Sequence, residues 1–145
     1  FDVAIDYRGK SVDQLSAEIA AAALDGVNVI FENVGGDILD AVLPNLAYRA
    51  RVVICGAISQ YNNKQSMKGP ANYLSLLVNS ARMEGMVVMT YASRFPEAAQ
   101  EMAGWLASGQ IKSKEDIVEG LQTFPETLLK LFSGENLGKL VLKVD

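Results

Sequence analysis

The sequence predicts an α/β fold with a mostly parallel sheet. Three observations predict it. Apolar runs at residues 27–31, 52–55 and 86–89 have strand length, and a continuous apolar run suggests cover on both faces, as in a parallel sheet. Helix-period stretches separate these runs, so the chain reads strand–helix–strand, which calls for right-handed crossovers. The first two runs also pass directly into glycine-rich polar segments, and in open α/β sheets ligands sit beyond such carboxyl ends.

Each element has its own warrant. Residues 3–7 alternate like a short strand, and Arg8-Gly9-Lys10 is a turn. Ser11 with Gln14 makes a capping box; Val12, Leu15, Ile19 and Ala22 then share a helix face that ends at Gly26. After the strand at 27–31, Asp37 is placed to cap a helix with Leu39, Val42, Leu43 and Leu46 inward, kinked or divided by Pro44. Residues 52–55 form the next strand, with Cys55 at its end. Residues 62–71 make a polar loop, and residues 73–81 a helix with Leu74, Leu77 and Val78 inward. The run at 86–89 is a further buried strand. Pro96 suits a helix first turn, and Ala99, Met102, Trp105 and Leu106 give that helix a core face closed by Gly109. Residues 111–121 are mixed, with room for a short strand. Thr123 and Glu126 make a second capping box, Leu128, Leu129 and Phe132 line the last helix up to Gly134, and residues 140–144 alternate like a terminal strand.

Composition excludes several chemistries. The 145 residues suit one domain, and a chain of this size can bury roughly 70% of its unfolded surface. Net charge is −4 with no basic patch, which argues against nucleic acid and anionic membrane as partners. No apolar run approaches the ~18 residues of a membrane span. No signal peptide is visible, and the expected location is cytoplasmic. The absence of histidine excludes the commonest general base, the usual catalytic triad and histidine metal sites. The single cysteine, Cys55, excludes an internal disulfide and a multi-cysteine zinc site, and in its apolar strand it reads as a small buried hydrophobe rather than a nucleophile. The chain opens Phe1-Asp2-Val3-Ala4-Ile5, already inside a strand-like alternation and without an initiator methionine, and so is expected to be a piece of a longer protein.

Four stretches carry a resemblance: Glu-Asn-Val-Gly-Gly (32–36), Cys-Gly-Ala-Ile-Ser-Gln-Tyr-Asn (55–62), Arg-Met-Glu-Gly-Met-Val-Val (82–88) and Gly-Glu-Asn-Leu-Gly-Lys (134–139). In this order and spacing the chain resembles the zinc-independent medium-chain dehydrogenases/reductases, in the branch of NADP-dependent alkenal and prostaglandin reductases. The resemblance implies that residues 1–145 are the later part of a Rossmann dinucleotide-binding domain, from its third strand onward. The first βαβ, its glycine-rich phosphate turn and the catalytic domain would then lie outside the chain. No Gly-x-Gly-x-x-Gly occurs in the 145 residues.

The implied roles follow by position. Tyr7 matches the tyrosine near the adenosine 2′-phosphate; on residues alone it would be an edge-strand aromatic. Asn33 matches a cofactor-contacting asparagine; otherwise it belongs to a strand-to-helix turn. Cys55, Gly56, Ala57, Ile58 and Ser59 would pass the cofactor with backbone groups. Tyr61 would reach the nicotinamide end, where it could hydrogen-bond a substrate carbonyl or its enolate, or donate a proton; otherwise it is a surface tyrosine. Met86, Val87 and Val88 match the segment facing the nicotinamide carboxamide, with Met86 standing where the family often has an aromatic. Asn136 matches a terminal-loop asparagine near the cofactor; otherwise it is a turn residue. No metal ligand is implied. The implied cofactor is NADP(H), and the implied reaction is hydride transfer to the β-carbon of an enal or enone, with a proton reaching the α-carbon.

Another class stays open: a Rossmann-like interaction or assembly module that binds no nucleotide. An α/β hydrolase is excluded, because the chain has neither histidine nor a Gly-x-Ser-x-Gly elbow. In the implied strand order, 3-2-1-4-5-6, the strand at 27–31 would lose its neighbour. Either residues 1–7 pair with that edge or a second copy covers it, so a homo-oligomer is expected.

Overall fold

A computed structural model describes residues 1–64 and 66–144, in two units, Phe1–Tyr91 and Ala92–Asp145. The first unit opens with helix α1, Val12–Ala22. Ser11 starts it as expected: its hydroxyl accepts the Gln14 N–H at 3.2 Å while the Gln14 side chain accepts the Ser11 N–H at 2.9 Å. Strand β1 (Val27–Glu32), helix α2 (Gly36–Val42), strand β2 (Leu46–Ile54), helix α3 (Leu74–Val78) and strand β3 (Arg82–Gly85) follow. The strands form one parallel sheet in the order β1-β2-β3, with Ile30 opposite Val52 and Val52 opposite Met83. This is the α/β arrangement with parallel pairing that the strand–helix alternation predicts.

The core lies on one face of that sheet. Strand alternation sends Ile30 and Glu32 of β1 and Val52 of β2 inward, where Leu39, Leu43, Leu46 and Ala50 join the cluster. Leu43 and Val52 are fully buried, and each contributes about 1.5–3 kcal/mol by leaving water. Asn45 stitches α1 to α2, its amide donating to the Ser16 hydroxyl at 2.9 Å and to the Ala41 carbonyl at 2.9 Å. Pro44 sits in a 3-10 turn, Leu43–Asn45, that ends α2, so it divides the expected helix and sends Leu46 into β2.

Several expectations are corrected. Residues 3–7 form no strand, and the pairing of residues 1–7 with β1 does not occur. A short alternating segment is not a strand without a partner ladder to satisfy its backbone. Cover on both faces also fails for β1: Val29 and Phe31 point away from the core and are exposed. Strand β2 starts earlier than expected and ends at Ile54, leaving Cys55 outside it and exposed rather than buried. β1 takes two steps from Val27 to Val29 while β2 takes five from Leu46 to Arg51, so β2 bulges there, with Arg49 at φ 61°. The third strand is Arg82–Gly85, not 86–89: the ladder ends where β2 ends, with Gly85 opposite Ile54, and Val87, Val88 and Met89 are exposed. Helix α3 is shorter than expected, and Leu74, Leu77 and Val78 are exposed while Leu76 packs on the core. Asp37 does not cap α2; Gly35 is its N-cap residue, and Asp37 lies in the first turn, where its charge favours the helix dipole. Of the polar loop at 62–71, Gln65 lies outside the described residues; the loop's far end is anchored by Asn72, whose N–H donates to the Asp40 carboxylate at 3.1 Å and whose amide donates to the Asp40 carbonyl at 2.8 Å.

The second unit holds helix α4 (Phe95–Ala107), strand β4 (Glu115–Glu119), helix α5 (Phe124–Ser133) and strand β5 (Lys139–Lys143). Pro96 stands in the first turn of α4, and Gly134 ends α5 in the left-handed conformation, both as expected. β4 and β5 pair in parallel. The Thr123–Glu126 capping box is absent, because the Thr123 hydroxyl donates instead to the Gly120 carbonyl at 2.8 Å. Met102, Trp105 and Leu106 remain 42–48% exposed, and Leu128, Leu129 and Phe132 are exposed too, so these helix faces are not closed core. Among the described residues of this unit only Thr127 is buried, and the packed core is therefore smaller than the chain length allows. Among the described residues no helix is long and apolar enough to cross a membrane.

Candidate functional site

The carboxyl ends of β1 and β2 are tied into one wall. The Glu32 carbonyl accepts the Cys55 N–H at 2.8 Å and the Gly56 N–H at 3.1 Å. One residue on, the Asn33 carbonyl accepts Ile58 N–H at 3.0 Å, and the Val34 carbonyl accepts both the Ser59 N–H at 3.1 Å and the Ser59 hydroxyl at 2.6 Å. The two polar strand ends therefore form a single hydrogen-bonded surface rather than two separate turns.

Glycine permits the close approach. A Cβ on Gly56 would lie 3.0 Å from the Tyr61 hydroxyl oxygen and 3.3 Å from the Asn33 carbonyl oxygen. Gly35, at φ 71°, would bring a Cβ within 3.2 Å of Ala57. A 3-10 turn, Ile58–Gln60, then carries the chain to Tyr61. The Tyr61 hydroxyl accepts the Ala57 N–H at 3.1 Å. Its own proton has no acceptor among the described residues, and the side chain is 62% exposed. The geometry thus holds a phenol at the sheet's carboxyl end with its donor function unused. Asn33 is also exposed, and its side-chain amide makes no hydrogen bond among the described residues.

Of the residues singled out from sequence, the wall brings together Asn33, Cys55, Gly56, Ala57, Ile58, Ser59 and Tyr61. Met86 joins its margin, donating its N–H to the Ile54 carbonyl at 2.9 Å, and Val87 and Val88 follow exposed. Tyr7 is not tied to the wall by any hydrogen bond among the described residues. It is exposed on the irregular stretch before α1, where its carbonyl accepts the Lys10 N–H at 3.3 Å. Beside it the Arg8 side chain donates to Asp6 through two bonds of 3.0 Å, which hold the Asp6 carboxyl below its usual pKa. Asn136 belongs to the second unit, where its amide donates to the Gly138 carbonyl at 2.9 Å and closes its own turn.

Glu32 carries no role predicted from the sequence. It is 3% exposed, and its carboxylate accepts the Val34 N–H at 2.5 Å and the Gly35 N–H at 2.6 Å. The signal was present: strand alternation puts residue 32 on the same inward face as Ile30, and a carboxylate there must find donors. Among the described residues no group of three or more His, Cys, Asp or Glu is placed to hold a metal ion.

Comparison with known proteins places the chain in a family. Residues 1–142 match a family model described as zinc-binding dehydrogenase. The chain is 40% identical over 144 residues to a 2-alkenal reductase (NADP(+)-dependent) of Nicotiana tabacum, covering 99% of this chain and 41% of that protein. It is 35% identical over 145 residues to prostaglandin reductase 1 of Mus musculus, covering 99% of this chain and 43% of that one. The crystal structure of CurA from Vibrio vulnificus in complex with NADPH superposes with a TM-score of 0.85 at 35% identity, over 100% of this chain and 44% of that chain. The chain spans about two fifths of the length of these relatives.

Proposed function

Because this chain belongs to the zinc-binding dehydrogenase family, we propose that residues 1–145 are the later part of a Rossmann cofactor domain in an NADP(H)-dependent oxidoreductase. Its reaction is reduction of the C=C bond of enals and enones, in the branch of alkenal and prostaglandin reductases. The names of the tobacco and mouse relatives and the NADPH held by the Vibrio protein support this reading. The family description speaks of zinc, yet a chain with no histidine and one cysteine does not fit the usual zinc ligand sets.

The observation that carries the proposal is the Tyr61 hydroxyl, held on the joined strand ends by the Ala57 N–H with its own proton unspent. The wall fits a dinucleotide: Asn33 offers an unengaged side-chain amide, and the backbone of Cys55, Gly56, Ala57, Ile58 and Ser59 passes close to the strand ends. Met86, Val87, Val88 and Tyr7 complete the contacts proposed for this unit. When bound, the reduced nicotinamide supplies the hydride. Tyr61 donates a hydrogen bond to the substrate carbonyl oxygen. That bond strengthens as the oxygen gains enolate charge, which lowers the barrier; in the alternative role the phenol gives its proton to the α-carbon and the phenolate then takes one from water. The Ala57 N–H contributes by holding the phenol oxygen and leaving its proton directed elsewhere.

The test is stopped-flow absorbance with the full-length protein that carries this chain. NADPH should be oxidised when short alkenals or enones are added, and no oxidation with any of them refutes the alkenal-reductase reading. Tyr61→Phe should lower kcat about tenfold or more while leaving NADPH affinity nearly unchanged, since only the hydroxyl is removed. An unchanged kcat makes Tyr61 a bystander. Full-length protein that fails to bind NADPH at all returns the case to a nucleotide-free assembly module.

A further inference from the structure

Glu32 holds a buried carboxylate with no Lys or Arg partner among the described residues. Burial of a carboxylate is costly unless donors satisfy it, and packing alone would be served by an apolar side chain. Its donors here are the Val34 and Gly35 N–H groups, and Gly35 is the N-cap residue of α2. The same residue's carbonyl takes the Cys55 and Gly56 N–H groups. Glu32 therefore grips both strand ends, one with its side chain and one with its backbone.

The effect runs outward through a chain of hydrogen bonds. With the 33–35 turn closed by the carboxylate, the Asn33 and Val34 carbonyls face the next segment and receive Ile58 N–H, Ser59 N–H and the Ser59 hydroxyl. That fixes the 3-10 turn Ile58–Gln60, and Tyr61 closes it by accepting the Ala57 N–H. We infer that Glu32 is the positioning residue that sets the Tyr61 hydroxyl at the sheet's carboxyl end. The inference deepens the functional reading above and rests on it for the meaning of Tyr61.

The experiment uses the 145-residue chain and Glu32→Gln, which keeps the shape and an acceptor oxygen but removes the charge. Charge-assisted hydrogen bonds are about twice as strong as neutral ones, so amide exchange at Val34 and Gly35 should rise roughly tenfold. If the turn positions its neighbour, Ala57, Ile58 and Ser59 should rise with them, while Leu43 and Val52 in the core keep their rates. In chains labelled with 3-fluorotyrosine, the Tyr61 fluorine signal, identified by its loss in Tyr61→Phe, should shift. A rise confined to Val34 and Gly35, a uniform rise that includes Val52, or an unmoved Tyr61 signal each overturns the inference. Should Glu32→Gln fail to fold, Ser59→Ala cuts only the exposed hydroxyl bond to Val34, and the same signal must shift, or the inference falls. In the full-length protein, Glu32→Gln should lower kcat with the NADPH KM kept, and the loss should vanish in the Tyr61→Phe background; an equal loss there overturns it. If the unsubstituted protein reduces no enone, the functional reading fails by itself, and exchange and fluorine signals still decide whether Glu32 places Tyr61.

Discussion

Gly56→Ala and Tyr61→Phe should be strongly coupled. Gly56 is not among the glycines with positive φ, so alanine is compatible with its backbone and should stabilise by about 0.4–1 kcal/mol through the unfolded chain. Its new Cβ would, however, meet the Tyr61 hydroxyl oxygen at 3.0 Å and the Asn33 carbonyl oxygen at 3.3 Å. The carbonyl is held by Ile58 N–H and cannot yield easily, so the phenol oxygen must move and release the Ala57 N–H. That bond is exposed and contributes at the low end, about 0.5–1 kcal/mol. The entropic gain and the lost bond nearly cancel, and Gly56→Ala alone should be close to neutral. In the Tyr61→Phe background there is no bond to lose, while the gain and the Asn33 contact are the same as before and cancel from the comparison. The expected coupling is about 1 kcal/mol, above the ~0.3–0.5 kcal/mol within which independent sites add. Urea unfolding of the four chains measures it. All five tyrosines lie in the first unit and the single tryptophan in the second, so tyrosine fluorescence follows the unit concerned. With m values of about 1–3 kcal/mol/M, the coupling should appear as a midpoint difference of about 0.3–1 M. An equal effect of Gly56→Ala in both backgrounds would refute the contact between Gly56 and the phenol oxygen.

Three further outcomes are expected. Arg49 is held at φ 61°, where glycine is free of strain and a β-branched residue is not, so stability should rank Arg49→Gly above the unsubstituted chain and Arg49→Val more than ~1 kcal/mol below it; a valine variant with an unchanged urea midpoint would show the strain to be absent. On the function proposed above, the 145-residue chain keeps walls for the nicotinamide end but has no Gly-x-Gly-x-x-Gly phosphate turn, so it should bind NADPH weakly or not at all; a calorimetric dissociation constant near ~1 μM, equivalent to ~8 kcal/mol, would contradict this. Among the described residues β1 has a strand neighbour on one side only, and it carries exposed Val29 and Phe31, so light scattering of the isolated chain should report a dimer or larger species, and a monomer at high concentration would rule that out.

Local chemistry was legible wherever short-range rules act. Ser11 and Gln14 name their own capping box, Pro96 and Gly134 mark helix ends, and the apolar runs of β1 and β2 announce parallel strands. The glycine-rich strand ends pointed to the wall from which Asn33 and Tyr61 project. For the capping box and the helix ends the deciding contacts lie within a few residues, where hydrogen-bond reach and backbone sterics are set by residue type.

What only the tertiary structure decided depends on partners distant in the chain. The apolar run at 86–89 reads as a strand, yet a strand needs a ladder, and β2 stops pairing at Ile54, so the ladder takes Arg82–Gly85 instead. Residues 3–7 alternate correctly and stay irregular because no strand pairs with them among the described residues. Cys55 reads as buried by its apolar neighbours and is exposed because Ile54 packs on the core and alternation turns the next side chain to the opposite face. Asp37 reads as a helix cap, whereas the carboxylate that reaches the start of α2 comes from Glu32, at the end of the preceding strand. Residue type and spacing determined which segments could be strands, helices or polar ends; the sheet's register determined which backbone groups met, and through them where Glu32 and Tyr61 stand.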